Sequence, residues 1–166
     1  MDVKIIPCDK EYIEKAIELT YIAWQPIYDG FRKSLGEKMF NDLYMDWKEV
    51  KYNRVYTGLT SGRGYVALVD GEFAGFIFYK IDEAIKFGTV EENAVDPKYR
   101  GLGIAGKLYN FVFDKMRSEG MRYTVVSTGL DDAHAPARYA YAKAGFNKSI
   151  EKVSYYMELF DDNNKK

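Results

Sequence analysis

A chain of 166 residues suits one compact domain, since domains most often run to roughly 100–150 residues. With 47% hydrophobic, 30% charged and 16% aromatic residues it is too apolar for intrinsic disorder and can fill a sizeable core. Its 24 Lys and Arg against 25 Asp and Glu give no global cationic field, which excludes charge-driven binding to nucleic acid or an anionic membrane; any acidic ligand must be held locally.

From the amino terminus, Val3 to Ile6 reads as a short strand stopped by Pro7. No basic segment precedes a long apolar run, and nothing approaches the roughly 18–20 apolar residues of a membrane span, so a cytoplasmic location is expected. Cys8 and His134 are the single cysteine and histidine, which excludes an intrachain disulfide or a Cys/His metal cage; no metal is expected. Cys8 itself reads as a small buried side chain.

A helix is predicted over Glu11 to Ala23, with Ile13, Ala16, Ile17, Thr20 and Tyr21 on one face and Pro26 and Gly30 breaking it. Ser34-Leu35-Gly36-Glu37 has the form of a capping box that starts a second helix, where Phe40, Leu43, Tyr44 and Trp47 recur as an aromatic stripe suited to the core. Asp42, Asp46 and Glu49 on that helix read as a solvated face.

The period then changes. Tyr65 to Val69, Asp70-Gly71 and Phe73 to Tyr79 spell a hairpin whose second strand is apolar on both faces, so helices should cover both sides of the sheet. A strand over Thr89 to Val95, a helix over Leu102 to Glu119 closed by Gly120, a strand over Tyr123 to Ser127, a helix over Ala135 to Ala144 and a strand over Ser154 to Leu159 complete one domain spanning 1–160. A polar tail follows over 161–166.

The glycine turn Arg100-Gly101-Leu102-Gly103-Ile104-Ala105-Gly106-Lys107 opens a helix and presents a run of amides to an anion. Gly101, Gly103 and Gly106 fit the dinucleotide fingerprint, but Asp96 to Arg100 separate them from their strand and too little chain remains for a doubly wound sheet. Gly101 with Gly106-Lys107 fits most of a nucleoside-triphosphate loop, yet Leu108 stands where a magnesium-holding hydroxyl is needed. A glycine turn that merely eases packing would account for one glycine rather than three.

A third pattern is Arg or Gln, two residues, Gly, one residue, then Gly or Ala, met by Arg100, Gly103 and Ala105. Here the chain resembles the GNAT superfamily of acetyl-coenzyme A dependent N-acetyltransferases. Val95 to Ala105 is similar to that family's pyrophosphate loop, and Tyr141-Ala142-Lys143-Ala144-Gly145-Phe146 to its later Tyr, three residues, Gly-Phe helix end; the order of elements agrees over nearly the whole chain. The resemblance implies a mixed, mainly antiparallel α/β fold with helices on both faces of the sheet. It also implies acetyl transfer from acetyl-CoA to an amine, on a small molecule or a peptide, by direct attack in a ternary complex.

In residues, the resemblance implies that the amides of Gly101, Leu102, Gly103, Ile104 and Ala105 meet the pyrophosphate, with Arg100 and Lys107 adding local charge. Ala94 and Val95 line a slot for pantetheine, and the Val95 amide faces the thioester oxygen. Glu91 or Glu92 supplies the base. A regular strand puts Glu91 on one face with Asn93 and Val95, which favours Glu91, whereas a bulge would exchange the two. Tyr141, rather than Tyr139, protonates the leaving thiolate. His134 stands where the family often has Asn, either as a substitute donor to the cofactor or as a polar residue at a helix start. A homodimer is also expected by resemblance. The rival from another class is a non-catalytic acyl-CoA binding module on the same fold.

Overall fold

The computed structural model describes residues 1–160, so the polar tail expected over 161–166 lies outside the described residues. Strand β1 (Val3–Pro7) precedes helices α1 (Lys10–Leu35), α2 (Glu37–Tyr44) and α3 (Trp47–Thr60). Strands β2 (Gly64–Val69), β3 (Glu72–Asp82) and β4 (Phe87–Val95) follow, then α4 (Ile104–Ser118), β5 (Tyr123–Val126) and α5 (Ala135–Ala144). The strands lie in the order β1-β2-β3-β4-β5. The first three pairings are antiparallel and the β4–β5 pairing is parallel, giving the mixed, mainly antiparallel sheet that was expected.

Each face of the sheet carries its own core. Tyr65, Ala67, Ile77, Tyr79 and Val90 pack beneath Ile104, Leu108, Tyr109, Val112 and Met116 of α4, with Tyr141 and Ala144 of α5 at the margin. Val66, Leu68, Phe76, Phe78 and Ala94 pack on the other face against Ile13, Ala16 and Ile17 of α1 and Val55 and Leu59 of α3. Asp70 and Gly71 both have positive φ, 49° and 89°, the I′ geometry whose twist matches that of the joined strands.

Two expectations fail in the helical layer. Pro26 and Gly30 lie inside a continuous 26-residue α1. An interior proline costs about 3 kcal/mol. The turns beyond it place Tyr28 in a stack on Trp47 at 4.3 Å and Phe31 against both Tyr28 and Tyr44 at 5.5 Å. Such pairs contribute about 0.5–1.5 kcal/mol each beyond the area they bury, enough together to offset the proline. The capping box does not form either. Ser34 lies in the last turn of α1, and Gly36, at φ 79°, closes α1 through its N–H to the Arg32 carbonyl and opens α2 through its own carbonyl to Phe40. The expected aromatic stripe is therefore divided, with Phe40 and Tyr44 on α2 and Trp47 opening α3.

The strand expected over Ser154 to Leu159 is also absent. Residues 147–160 form neither helix nor strand and pair with no strand of the sheet. Where α3 meets the sheet, backbones approach closely: a Cβ on Gly64 would lie 2.4 Å from the Leu59 Cα. Gly64→Ala should therefore cost about 1–3 kcal/mol as an overpacking substitution. Urea denaturation checks this by a lowered midpoint at unchanged slope; an unchanged midpoint would mean that the α3–β2 junction yields freely.

Candidate functional site

Strands β4 and β5 pair only from Phe87↔Tyr123 to Val90↔Val126, where β5 ends and β4 runs on without a partner on that side. Beyond that point β4 continues to Val95 on β3 alone. The Asp96 N–H donates to the Ala74 carbonyl at 2.9 Å on the β3 side. Amides alternate along an antiparallel strand, so those of Asn93 and Val95 face the gap. The end of β5 thus leaves a line of unpaired backbone donors on the outer side of β4.

One residue into the gap, β4 is irregular. Phe78 pairs with Glu92 and Tyr79 with Val90, which leaves Glu91 as the extra residue of a bulge. The bulge switches the side-chain alternation. Val90 belongs to the α4-side core and Ala94 to the α1/α3-side core, although they are four residues apart. Both carboxylates consequently turn toward α3, while Asn93 turns toward α4.

Glu92 is 4% exposed. Its Oε1 accepts from Lys51 Nζ at 2.6 Å and lies 3.0 Å from Arg54 Nε, while its Oε2 is buried without a hydrogen-bond partner. Glu91 is held by Arg54 at 2.8 Å and Lys80 at 2.5 Å. Lys51 sits 4.4 Å over the Trp24 ring, and burial pulls its pKa below the usual lysine range, against the opposing pull of Glu92. The sequence reading did not single out Lys51 and Arg54. A signal for Lys51 was present, since it interrupts the buried i, i+4 series Trp47, Val55 and Leu59 with a cation.

On the opposite face, Tyr109 donates to Asn93 Oδ1 at 2.7 Å, and Tyr141 joins this pair, its ring edge-on to Tyr109 at 5.7 Å. Burial raises the Tyr141 pKa, and hydrogen bonding with Asn93 and Tyr109 offsets part of the rise. Tyr139 is 71% exposed on the outer side of α5. Tyr109 and Asn93 carried no signal in the sequence beyond ordinary core and strand positions.

The glycine turn closes one end of the gap. Tyr99 and Ile104, both buried, anchor its two sides in the α4-side core, while Arg100, Gly101, Leu102 and Gly103 between them are exposed. Gly101 and Gly103 have φ of 78° and 76°, and a Cβ on Gly101, Gly103 or Gly106 would meet nothing within 4 Å. No side chain caps α4, so the free amides of its first turn and the positive end of its dipole face that open space. These features fit a phosphate group. Lys107 is exposed one turn further on, and Ala105 is half-buried.

His134 lies at the start of α5, with Nδ1 2.6 Å from Asp131 Oδ2. Burial works to raise the Asp131 pKa, but the hydrogen bonds and charge of His134 outweigh it and hold the carboxyl below its usual range. Arg138 donates to the carbonyls of Gly129 and Asp131 and fixes the same loop. Cys8 stands apart, half-buried, its thiol pushed up to about 11 by burial and by Asp9. Among the described residues no group of His, Cys, Asp and Glu is arranged to hold a metal, and no helix is long and apolar enough to cross a membrane.

Residues 24–146 match the model of the acetyltransferase (GNAT) family. No curated protein matches the chain in sequence. Solved structures are similar in fold. The PaiA N-acetyltransferase from Thermoplasma acidophilum, in complex with coenzyme A, gives a TM-score of 0.69 at 18% identity over 92% of this chain and 94% of that one. The ribosomal-protein-alanine N-acetyltransferase from Brucella melitensis biovar Abortus 2308 gives 0.62 at 17% over 95% and 100%. The aminoglycoside antibiotic 6′-N-acetyltransferase from Acinetobacter baumannii gives 0.63 at 15% over 96% and 100%.

Proposed function

The chain belongs to the acetyltransferase (GNAT) family, and from that premise we propose that it transfers an acetyl group from acetyl-CoA to a primary amine, in a ternary complex at the gap between β4 and β5. Acetyl-coenzyme A dependent acyl transfer is the activity typical of that family. The observation that carries the reading is the end of β4–β5 pairing after Val90 and Val126, with the Val95 amide turned to the unpaired side of β4.

The open glycine turn receives the pyrophosphate at the α4 amides, and pantetheine runs along the donors of β4. An alkylamine near pKa 10.4 is neutral at pH 7 only to the order of 10⁻³, so a base is required. The bulge favours Glu92 for this role: Lys51 and Arg54 fix its Oε1, and its buried, unpartnered Oε2 takes a proton relayed by water from the amine arriving on the α1/α3 face. The amine nitrogen then bonds to the carbonyl carbon, the charge on oxygen is met by the Val95 N–H, and the carbon–sulfur bond breaks. Of the two protons the ammonium loses, one goes to Glu92 and one to solvent, while the departing sulfur accepts a hydrogen bond from Tyr141 on the α4/α5 face and takes its proton from solvent. Acceptor and leaving thiol thus occupy opposite faces of one sheet.

Thiol release from acetyl-CoA, measured across small amines, polyamines, aminoglycosides and peptide amines, tests the activity. Release with at least one class is expected. Thermal stabilisation by acetyl-CoA without release from any would favour a binding module. Glu92→Gln should lower kcat/KM at pH 7 by about 10²-fold or more and regain most of it near pH 10, as the amine deprotonates unaided. Loss at every pH with a lowered Tm would instead mark Glu92 as a purely structural ion pair, whose breaking costs about 3–5 kcal/mol.

A further inference from the structure

Helix α4 turns Ile104, Leu108, Val112 and Met116 into the core, and in this aliphatic row stands one phenol, Tyr109, 2% exposed. A hydroxyl buried at that depth needs a partner. It finds one in Asn93, donating to Oδ1 at 2.7 Å. Asn93 faces α4 because of the bulge at Glu91, so the irregularity of register that sends two carboxylates to α3 also delivers a carboxamide to the opposite face.

Four rings close a circuit that includes Tyr141. Tyr109 stacks on Phe113 at 6.3 Å, Phe113 meets Phe146 edge-on at 5.6 Å, Phe146 meets Tyr141 at 6.0 Å, and Tyr141 returns to Tyr109 at 5.7 Å. Close packing of this kind fixes where the Tyr141 ring stands. It leaves open the direction of the hydroxyl proton, which rotates to suit its neighbours.

Asn93 settles that direction. A carboxamide has an acceptor end and a donor end, and the single Tyr109 proton holds the acceptor end. The donor end is then the one left for Tyr141. Hydrogen bonds with Asn93 and Tyr109 pull the Tyr141 pKa down against burial, as bonds donated to a phenol oxygen do. The geometry points to Tyr109 and Asn93 as positioning residues: Tyr109 locks the Asn93 amide, Asn93 Nδ2 donates to the Tyr141 oxygen, and the Tyr141 proton is left for the departing sulfur on the unpaired side of β4. The inference rests on the acyl transfer proposed above and extends it to two residues that act through Tyr141.

Tyr109→Phe keeps the ring and removes the lock, so that Asn93 is free to turn Oδ1 to Tyr141 and take its proton. The kcat should fall about tenfold or more, with KM for acetyl-CoA within about twofold of wild type. Asn93→Asp, close in shape but without a donor end, should lose kcat to a similar extent. In the Tyr141→Phe background, Tyr109→Phe should change kcat by less than about twofold, because nothing is left to position. A further readout needs no turnover. In protein whose tyrosines carry carbon-13 at Cζ, the Tyr141 resonance, assigned by its loss in Tyr141→Phe, should begin to titrate about one pH unit higher in Tyr109→Phe than in wild type, since the donated bond is gone. Equal loss of kcat in both backgrounds makes Tyr109 a general support of the core and overturns the inference. A Tyr109→Phe chain with wild-type kcat and an unmoved resonance overturns it too. A wild-type chain that releases no thiol with any amine removes the proposed activity, and the resonance alone then decides the arrangement: shifted, it stands; unmoved, it falls.

Discussion

Tyr141→Phe is expected to lower turnover by roughly 10²-fold or more, about 3 kcal/mol of barrier, with acetyl-CoA affinity nearly unchanged. The substitution keeps the ring and hence its edge-on contacts with Tyr109 at 5.7 Å and Phe146 at 6.0 Å. Asn93 keeps its bond from Tyr109 at 2.7 Å, so no buried amide is orphaned. Only a hydroxyl is lost. Burial keeps that hydroxyl protonated beyond the usual tyrosine range, whereas a thiol titrates near ~8.5. Complete transfer to sulfur would run uphill, and the hydroxyl acts best as a donor that lowers the charge on sulfur while the carbon–sulfur bond breaks. If Tyr141 only packs, the cost is about 1 kcal/mol of stability with turnover near normal. Rate and Tm measured on one preparation separate the two roles, and a fully active, slightly destabilised variant would remove Tyr141 from the site.

Gly103→Glu should abolish the rise in Tm that acetyl-CoA is expected to give the wild-type chain. At φ 76° the new residue meets about 1–2 kcal/mol of backbone strain. A carboxylate at a helix start returns about 0.3–1 kcal/mol through the dipole, so the fold survives. Binding does not. The side chain would enter the space kept open above the loop and set a negative charge where the proposed pyrophosphate would sit; at about 4 Å and an effective dielectric of about 20 the repulsion would be ~4 kcal/mol, roughly a thousandfold in affinity. Gly103→Ala, which carries the strain without the charge, should retain most of the shift. Equal loss in both variants would assign the effect to backbone distortion, and an intact shift in Gly103→Glu would take the pyrophosphate away from this loop.

The parts of the fold that sequence makes legible are those set by local chemistry. The Asp70-Gly71 turn needs two positive φ angles, and the glycine turn before α4 needs open backbone; both needs are written in residue type. The helical layer was misread where tertiary packing overrides local preference, as when Tyr28 and Phe31 carry α1 through Pro26 against Trp47 and Tyr44. The bulge at Glu91 has no sequence mark, because it arises from register against β3, and it decides which carboxylate faces α3. Lys51 and Arg54 come from a helix some forty residues before the strand they contact, a pairing that only folding reveals. The alternation from Val153 to Leu159 is visible in the chain, but a strand also needs a neighbour, and pattern alone does not supply one.

The two faces of the sheet draw on separate stretches of chain. Everything over the carboxylate face, α1 to α3, precedes β2, and everything over the glycine-turn face, α4 and α5, follows β4. Recombination in the β2–β3 hairpin would therefore exchange one whole face and leave the other intact. Apart from the sheet, the two halves meet at side-chain contacts such as Arg63 with Glu119, Tyr44 with Tyr156 and Lys38 with Glu158, so a change in the early helices reaches the glycine-turn face through the shared sheet and points of this kind.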